Sequence, residues 1–243
     1  STDTQMQINM LNSQWRSSSY DDSSLTNFIP MVDMSFSMDG LPKDIAIALG
    51  IRIAEQSTLG KRIMSFCENP AWINLDLCKP DFTSMLDKVL KGNWGGSTNF
   101  YMALDLILNA SIESNLSYEN IQNMVLVILS DMQINKADES FKDKSLVDVI
   151  RQKYADAGVK HYGKPLCPPK IILWNLKGNN GFPCLHFYEN VSMISGYSSE
   201  ILSTLCNHGL SGLNKFTPWT VLNTCLKNPR YDCLEKSILE ILN

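Results

Sequence analysis

The stretch Asp33-Met34-Ser35-Phe36-Ser37 sets a carboxylate and two hydroxyls at alternate positions of one short segment. Two more oxygen-bearing side chains, Thr98 and Asp131, follow much later in the chain. Carboxylate and hydroxyl oxygens are hard donors, and they suit Mg²⁺ or Mn²⁺ better than zinc or copper. In a turn leaving a strand, positions i, i+2 and i+4 can converge on one point. Met34 and Phe36 then point elsewhere and serve as apolar walls. The candidate metal ligands are therefore Asp33, Ser35, Ser37, Thr98 and Asp131, with Mg²⁺ or Mn²⁺ as the expected cofactor.

Such a set works only if separate elements bring it together. Residues 28–32 form a short apolar run that ends at Asp33, as expected of a strand covered on both faces of a parallel sheet. Residues 124–130 are the cleanest strand of the chain and end at Asp131. Thr98 lies in the loop Trp94-Gly95-Gly96-Ser97-Thr98-Asn99, which opens a helical pattern over 100–112. Further strands are expected over 62–67, 72–77 and 170–176, with the last at 186–188 or 191–194. Helical patterns cover 44–57, 82–90, 146–157 (closed by Gly158), 199–207, 217–228 and 231–242. Strand and helix alternate. This predicts an α/β fold with a doubly wound, mostly parallel central sheet of about six strands, Rossmann-like, with helices on both faces. In such sheets ligands sit at the carboxyl ends of the strands, near the point where strand order reverses. Residues 1–26 are polar and aperiodic and read as an arm or linker, 27–243 as one domain, and 134–144 as an exposed charged insertion.

Bulk properties narrow the function classes. Of 243 residues, 44% are hydrophobic and 19% charged, with a formal net charge of −4. That charge gives no general pull toward nucleic acid or an anionic membrane. No apolar run approaches the roughly 20 residues that span a bilayer, so no membrane association is expected. The seven cysteines are odd in number and contain no CxxC pair, which argues against a disulfide framework or a thiolate zinc site. Reduced thiols fit an intracellular, cytoplasmic location. His161, His186 and His208 lack a ligand-like spacing, and Asp39-Gly40 reads as a solvated turn. Trp94 is better explained as a core or rim anchor than as a base-stacking platform. The chain starts at Ser1 without an initiator Met, which fits a fragment of a longer protein.

The D-x-S-x-S loop, the distant Thr98 and the later strand-ending Asp131 resemble the metal-ion-dependent adhesion site of the von Willebrand factor A fold. By that resemblance Ser35 and Ser37 bind the metal directly, and Asp33 and Asp131 act directly or through water. Thr98 binds or releases with conformational state. The resemblance also implies a sixth position filled by an Asp or Glu carboxylate of a partner protein. The segments IPMVDMSFSMDGLPKDIAIALGIRIAEQ, IMSFCENP, WGGSTNF, VLVILSDMQ, KIILWNLKG and FTPWTVLNTCLKNPRYDCL are similar to a narrower family of unknown function from plants and giant viruses. That family is related to the metal-binding domain of TROVE-type RNA-associated proteins, and the likeness runs over roughly residues 28–235. Its members have a larger helical amino-terminal part that is missing here. If the source is a virus, association with the virion follows as an expectation. Two departures stand out: Phe36 where a small residue, often Gly, is common, and Asn99 where Asp is common.

Three functional readings follow. The first is a non-catalytic protein-binding module that uses Mg²⁺ or Mn²⁺ to hold a partner's carboxylate. The second is a scaffold part of a TROVE-like RNA–protein assembly, with RNA reached only through the missing amino-terminal part. The third is a Mg²⁺-dependent phosphatase using a strand-ending Asp. That chemistry needs a second Asp two residues on, where this chain has Ser35, and no Gly-rich phosphate loop, Ser-His-Asp set or H-E-x-x-H is present. The chain is therefore read as not an enzyme.

Overall fold

Strands form where apolar residues run without interruption. Phe28–Val32 (β1) and Val125–Ser130 (β4) are buried at every position. A strand is covered in that way when helices pack on both faces of its sheet. The structure, a computed structural model, describes residues 2–17, 25–92, 94–95, 99–132, 144–177, 191–197, 219 and 223.

Arg62–Ser65 (β2), Trp72–Asn74 (β3), Lys170–Asn175 (β5) and Val191–Ser195 (β6) complete a six-stranded sheet in the order β3-β2-β1-β4-β5-β6. All neighbours pair parallel except β3, which runs antiparallel to β2 at one edge. The first three strands extend from β1 in one direction and the last three extend from β4 in the other. Strand order thus reverses between β1 and β4, and the residues just beyond their carboxyl ends are Asp33 and Asp131. The fold is the α/β, mostly parallel, Rossmann-like arrangement that the sequence predicts.

Side-chain alternation assigns the two faces. Ile29 and Met31 of β1, Leu126 and Ile128 of β4, and Ile171 and Leu173 of β5 pack in one core cluster. Phe100, Ala103, Leu104 and Ile107 from Phe100–Glu113 (α4) and Ile150 and Tyr154 from Lys144–Tyr162 (α6) join it. Ile121 of the short Tyr118–Gln122 helix (α5) belongs to the same cluster. On the opposite face Leu41–Gln56 (α2) lies close to the sheet. A Cβ on its Gly50 would stand 2.6 Å from Val32 Cγ2, so glycine is what permits that approach. Phe82–Leu90 (α3) packs beside α2. Each large apolar side chain sealed in these layers contributes roughly 1.5–3 kcal/mol of transfer free energy.

Among the differences from expectation, two bear on how helices pack and end. Within the stretch read as a polar arm, Thr2–Ser17 forms a helix (α1). It is held by particular contacts rather than by an apolar stripe. The Trp15 ring stacks on Phe82 at 4.3 Å, and the Arg52 guanidinium lies 3.7 Å above the Trp15 ring. Asn12 exchanges two 3.1 Å hydrogen bonds with Thr83, one to its hydroxyl and one from its amide. The second difference is α6, which runs through Gly158 to Tyr162. Gly158 does not end the helix. A Cβ there would come within 2.3 Å of the Leu166 amide nitrogen, so the glycine makes room for the chain returning to β5. The helix is closed by Gly163, at φ 71°.

The chain divides into two compact units, residues 1–196 and 197–243. The expected helices over 199–207, 217–228 and 231–242, most of the insertion over 134–144, the turn at 178–181 and the alternative last strand at 186–188 lie outside the described residues. Among the described residues no helix is long and apolar enough to cross a membrane.

Candidate functional site at the carboxyl ends of β1, β4 and β5

The backbone of Asp33 extends the β1–β4 ladder by one step, its amide donating to the Leu129 carbonyl at 3.0 Å. The chain then leaves the sheet, and the Ser35 amide donates to Asp33 Oδ1 at 2.8 Å. This closes the small turn for which Asp is suited. A single 3₁₀ turn follows over Phe36–Met38, with the Met38 amide bonded to the Ser35 carbonyl. Its curvature places the Ser35 and Ser37 hydroxyl oxygens 3.0 Å apart. Met38 is fully buried beneath the turn.

β4 supplies the facing wall. Ser130 is its last residue, and its hydroxyl donates to Asp33 Oδ2 at 2.6 Å. The same oxygen accepts the Met132 amide at 3.1 Å, and Met132 takes the left-handed backbone conformation at φ 59°. A non-glycine residue in that region stores local strain, and here it turns the chain sharply behind Asp131. Asp131 itself is fully buried, and Asp33 is 3% exposed.

β5 contributes a cation. The Leu176 amide donates to the Ser130 carbonyl, and the Lys177 amide donates to Asn175 Oδ1 at 3.0 Å. With its backbone held in this way, the Lys177 ammonium donates to the Ser37 carbonyl at 2.8 Å and lies 3.9 Å from Asp131 Oδ2.

The electrostatics follow from the burial. Desolvation pushes the Asp33 carboxyl above its ordinary value. Hydrogen bonds from Ser130 and Ser35 oppose that rise, and the neighbouring Asp131 charge adds to it. Two sequestered carboxylates thus stand together at the switch point of a parallel sheet.

The structure thus gathers four of the five candidate ligands: Asp33, Ser35, Ser37 and Asp131. Thr98 lies outside the described residues. The donor set fits a hard divalent ion. The Ser35 and Ser37 hydroxyls are hydrogen-bonded to each other at 3.0 Å. Among the described residues no group of three or more His, Cys, Asp or Glu side chains forms a metal cluster. Here two carboxylates stand beside serine hydroxyls.

At the rim the structure alters the expectation for Phe36 and agrees with those for Trp94 and Asp39. Phe36 is not a wall of the site, since its ring is 89% exposed at the tip of the 3₁₀ turn. Asn99 has a local task. Its side chain accepts the Met102 amide at 3.2 Å and caps α4, a position where Asn and Asp serve about equally. Trp94 is an anchor, donating from Nε1 to the Val89 carbonyl at 3.0 Å. Asp39 is exposed and pairs with Lys43 in the first turn of α2. Ser130 and Lys177 are the residues that sequence reasoning missed. The signal for Ser130 is a polar residue ending an otherwise apolar buried strand. For Lys177 the signal is weaker, a cation two residues beyond a strand that ends on the same edge.

Comparison with known proteins places the chain in a family. A family model described as a domain of unknown function (DUF7788) matches residues 27–217. The uncharacterized protein L728 of Acanthamoeba polyphaga mimivirus is 32% identical over 225 residues, which is 88% of this chain and 36% of that protein. The chain therefore spans about a third of the length of that relative. A crystal structure of the Deinococcus radiodurans RO (RSR) protein aligns over 74% of this chain and 33% of that one, with 15% identity and a TM-score of 0.43.

Proposed function

The chain belongs to the DUF7788 family, and from that premise we propose that its domain is a non-catalytic protein-binding module. Asp33, Ser35, Ser37 and Asp131 would hold Mg²⁺ or Mn²⁺, joined by Thr98 through the resemblance to the von Willebrand factor A adhesion site. The bound ion supplies a Lewis-acidic position for an Asp or Glu carboxylate of a partner. The observation that supports this reading is a pair of buried carboxylates, Asp33 and Asp131, just beyond the carboxyl ends of adjacent strands, with Asp33 bonded to the Ser35 amide of the serine-bearing turn.

The protein's own groups have separate tasks. Ser130 fixes the rotamer of Asp33 through its 2.6 Å hydrogen bond, and the Ser35 amide holds the other carboxylate oxygen. The 3₁₀ turn brings the two hydroxyls within 3.0 Å of each other. Burial of both carboxylates excludes water, which strengthens attraction to a cation. Recognition of the partner beyond its carboxylate falls to the surrounding loops.

Calorimetric titration of Mg²⁺ and Mn²⁺ into the 243-residue chain tests the reading. Saturable binding is expected in the wild type, with none detectable in Asp33→Ala. Partner capture that survives both EDTA and Asp33→Ala would overturn it.

A further inference from the structure

The Lys177 ammonium stands among the groups assigned to the ion. It lies 3.9 Å from Asp131 Oδ2 and is bonded at 2.8 Å to the carbonyl of Ser37, whose hydroxyl is a candidate ligand. Its backbone is not free to drift. The Lys177 amide is bonded to Asn175, Leu176 is tied to the end of β4, and the Gly196 amide donates to the Asn175 carbonyl at 2.8 Å. The side chain is 38% exposed, so it reaches in from the rim with room to withdraw.

We infer that Lys177 is a resident counter-cation of this site, balancing Asp131 in the metal-free protein and opposing entry of the divalent ion. The inference rests on the metal-binding reading above. A positive charge beside Asp131 spends part of the carboxylate's attraction and repels a second cation at short range. When the ion binds, the ammonium must give up some of its interaction with Asp131 or remain and repel. Either way Lys177 lowers metal affinity. It also raises metal-free stability, because the ammonium offsets part of the cost of burying that carboxylate. The hydrogen bond to Ser37 ties the same residue to the ligand loop, so withdrawal of Lys177 and rearrangement of that loop are coupled. Affinity is thus set for exchange of the ion rather than for permanent retention.

Two variants separate charge from tethering. Lys177→Gln removes the charge and retains a donor, and Lys177→Met removes both. Calorimetry with Mg²⁺ alone is expected to show about tenfold tighter binding in Lys177→Gln, equal to about 1.4 kcal/mol. Thermal unfolding in EDTA is expected to show a lower midpoint for both variants, with Mg²⁺ closing the gap to wild type. A purely structural lysine would lower stability without raising affinity. Metal binding within twofold of wild type in both variants, or weaker in both, overturns the role of Lys177 and leaves the metal site standing. Absence of Mg²⁺ and Mn²⁺ binding in wild type and variants alike overturns both.

Discussion

Asp33 and Asp81 are the same residue type at two carboxyl-bearing corners of the molecule, and their environments drive them in opposite directions. Asp81 is the N-cap of α3, where it accepts the Ser84 amide at 2.8 Å and the Thr83 hydroxyl at 3.0 Å. Burial is the largest single influence on it and acts upward, but the hydrogen bonds from Ser84 and Thr83, aided by Lys79, leave its carboxyl below the ordinary value. At Asp33 desolvation wins, despite hydrogen bonds from Ser130 and Ser35. The cap is a finished interaction, satisfied by its own backbone and neighbours. The β1 carboxylate is costly in its ionised form, and the fold retains it beside a second carboxylate. Under the proposed metal-binding reading, a cation bound at the sheet switch point would offset that cost, an exchange of stability for function.

The largest expected effect comes from removing the charge at Asp33 while keeping its shape. Asp33→Asn should abolish measurable Mg²⁺ binding and, in EDTA, raise the thermal midpoint, because desolvation of the anion is what it relieves. Calorimetry and thermal unfolding check the two halves. A lower midpoint in EDTA would mean that the hydrogen bonds to Ser130 and Ser35 outweigh desolvation, and the contrast with Asp81 would collapse.

The contrast was readable in the sequence on one side only. Asp33 and Asp131 declare themselves because each ends an apolar run, and a carboxylate after a buried strand is conspicuous. The sheet was equally readable, since β1 and β4 are unbroken stretches of residues buried on both faces. Contacts distant in sequence were not. The α1 helix depends on Trp15 meeting Phe82 and Arg52, and on Asn12 meeting Thr83, none of which leaves a local period. Gly158 reads as a helix stop because the sequence does not show the returning backbone near Leu166 that makes glycine necessary. Lys177 is an ordinary surface residue until β5 is placed beside β4.

Ser130→Ala is expected to have the next effect. Its hydroxyl opposes the upward push on the Asp33 carboxyl and fixes the orientation of that group. Loss of a residue that orients a ligand typically costs 10–100-fold in metal affinity, so a drop of about tenfold is expected by calorimetry. An affinity equal to wild type would show that the β1–β4 backbone alone positions Asp33.

The smallest effect belongs to the finished side of the comparison. Asp81→Ala removes a helix cap and should cost about 1 kcal/mol in chemical denaturation, with metal affinity unchanged. Its pH dependence also has a defined sign. A carboxyl held below its ordinary value in the folded state contributes stability that is present above the unfolded value and is lost as pH falls through the folded one. A carboxyl held above its ordinary value does the opposite, so stability tied to Asp33 is present at low pH and is lost as pH rises through its folded value. The difference in unfolding free energy between wild type and Asp81→Ala should therefore shrink on acidification, while the advantage of Asp33→Asn over wild type in EDTA should grow as pH rises from the acid range toward neutrality. Parallel trends in the two variants would show that both carboxylates serve as ordinary structural groups.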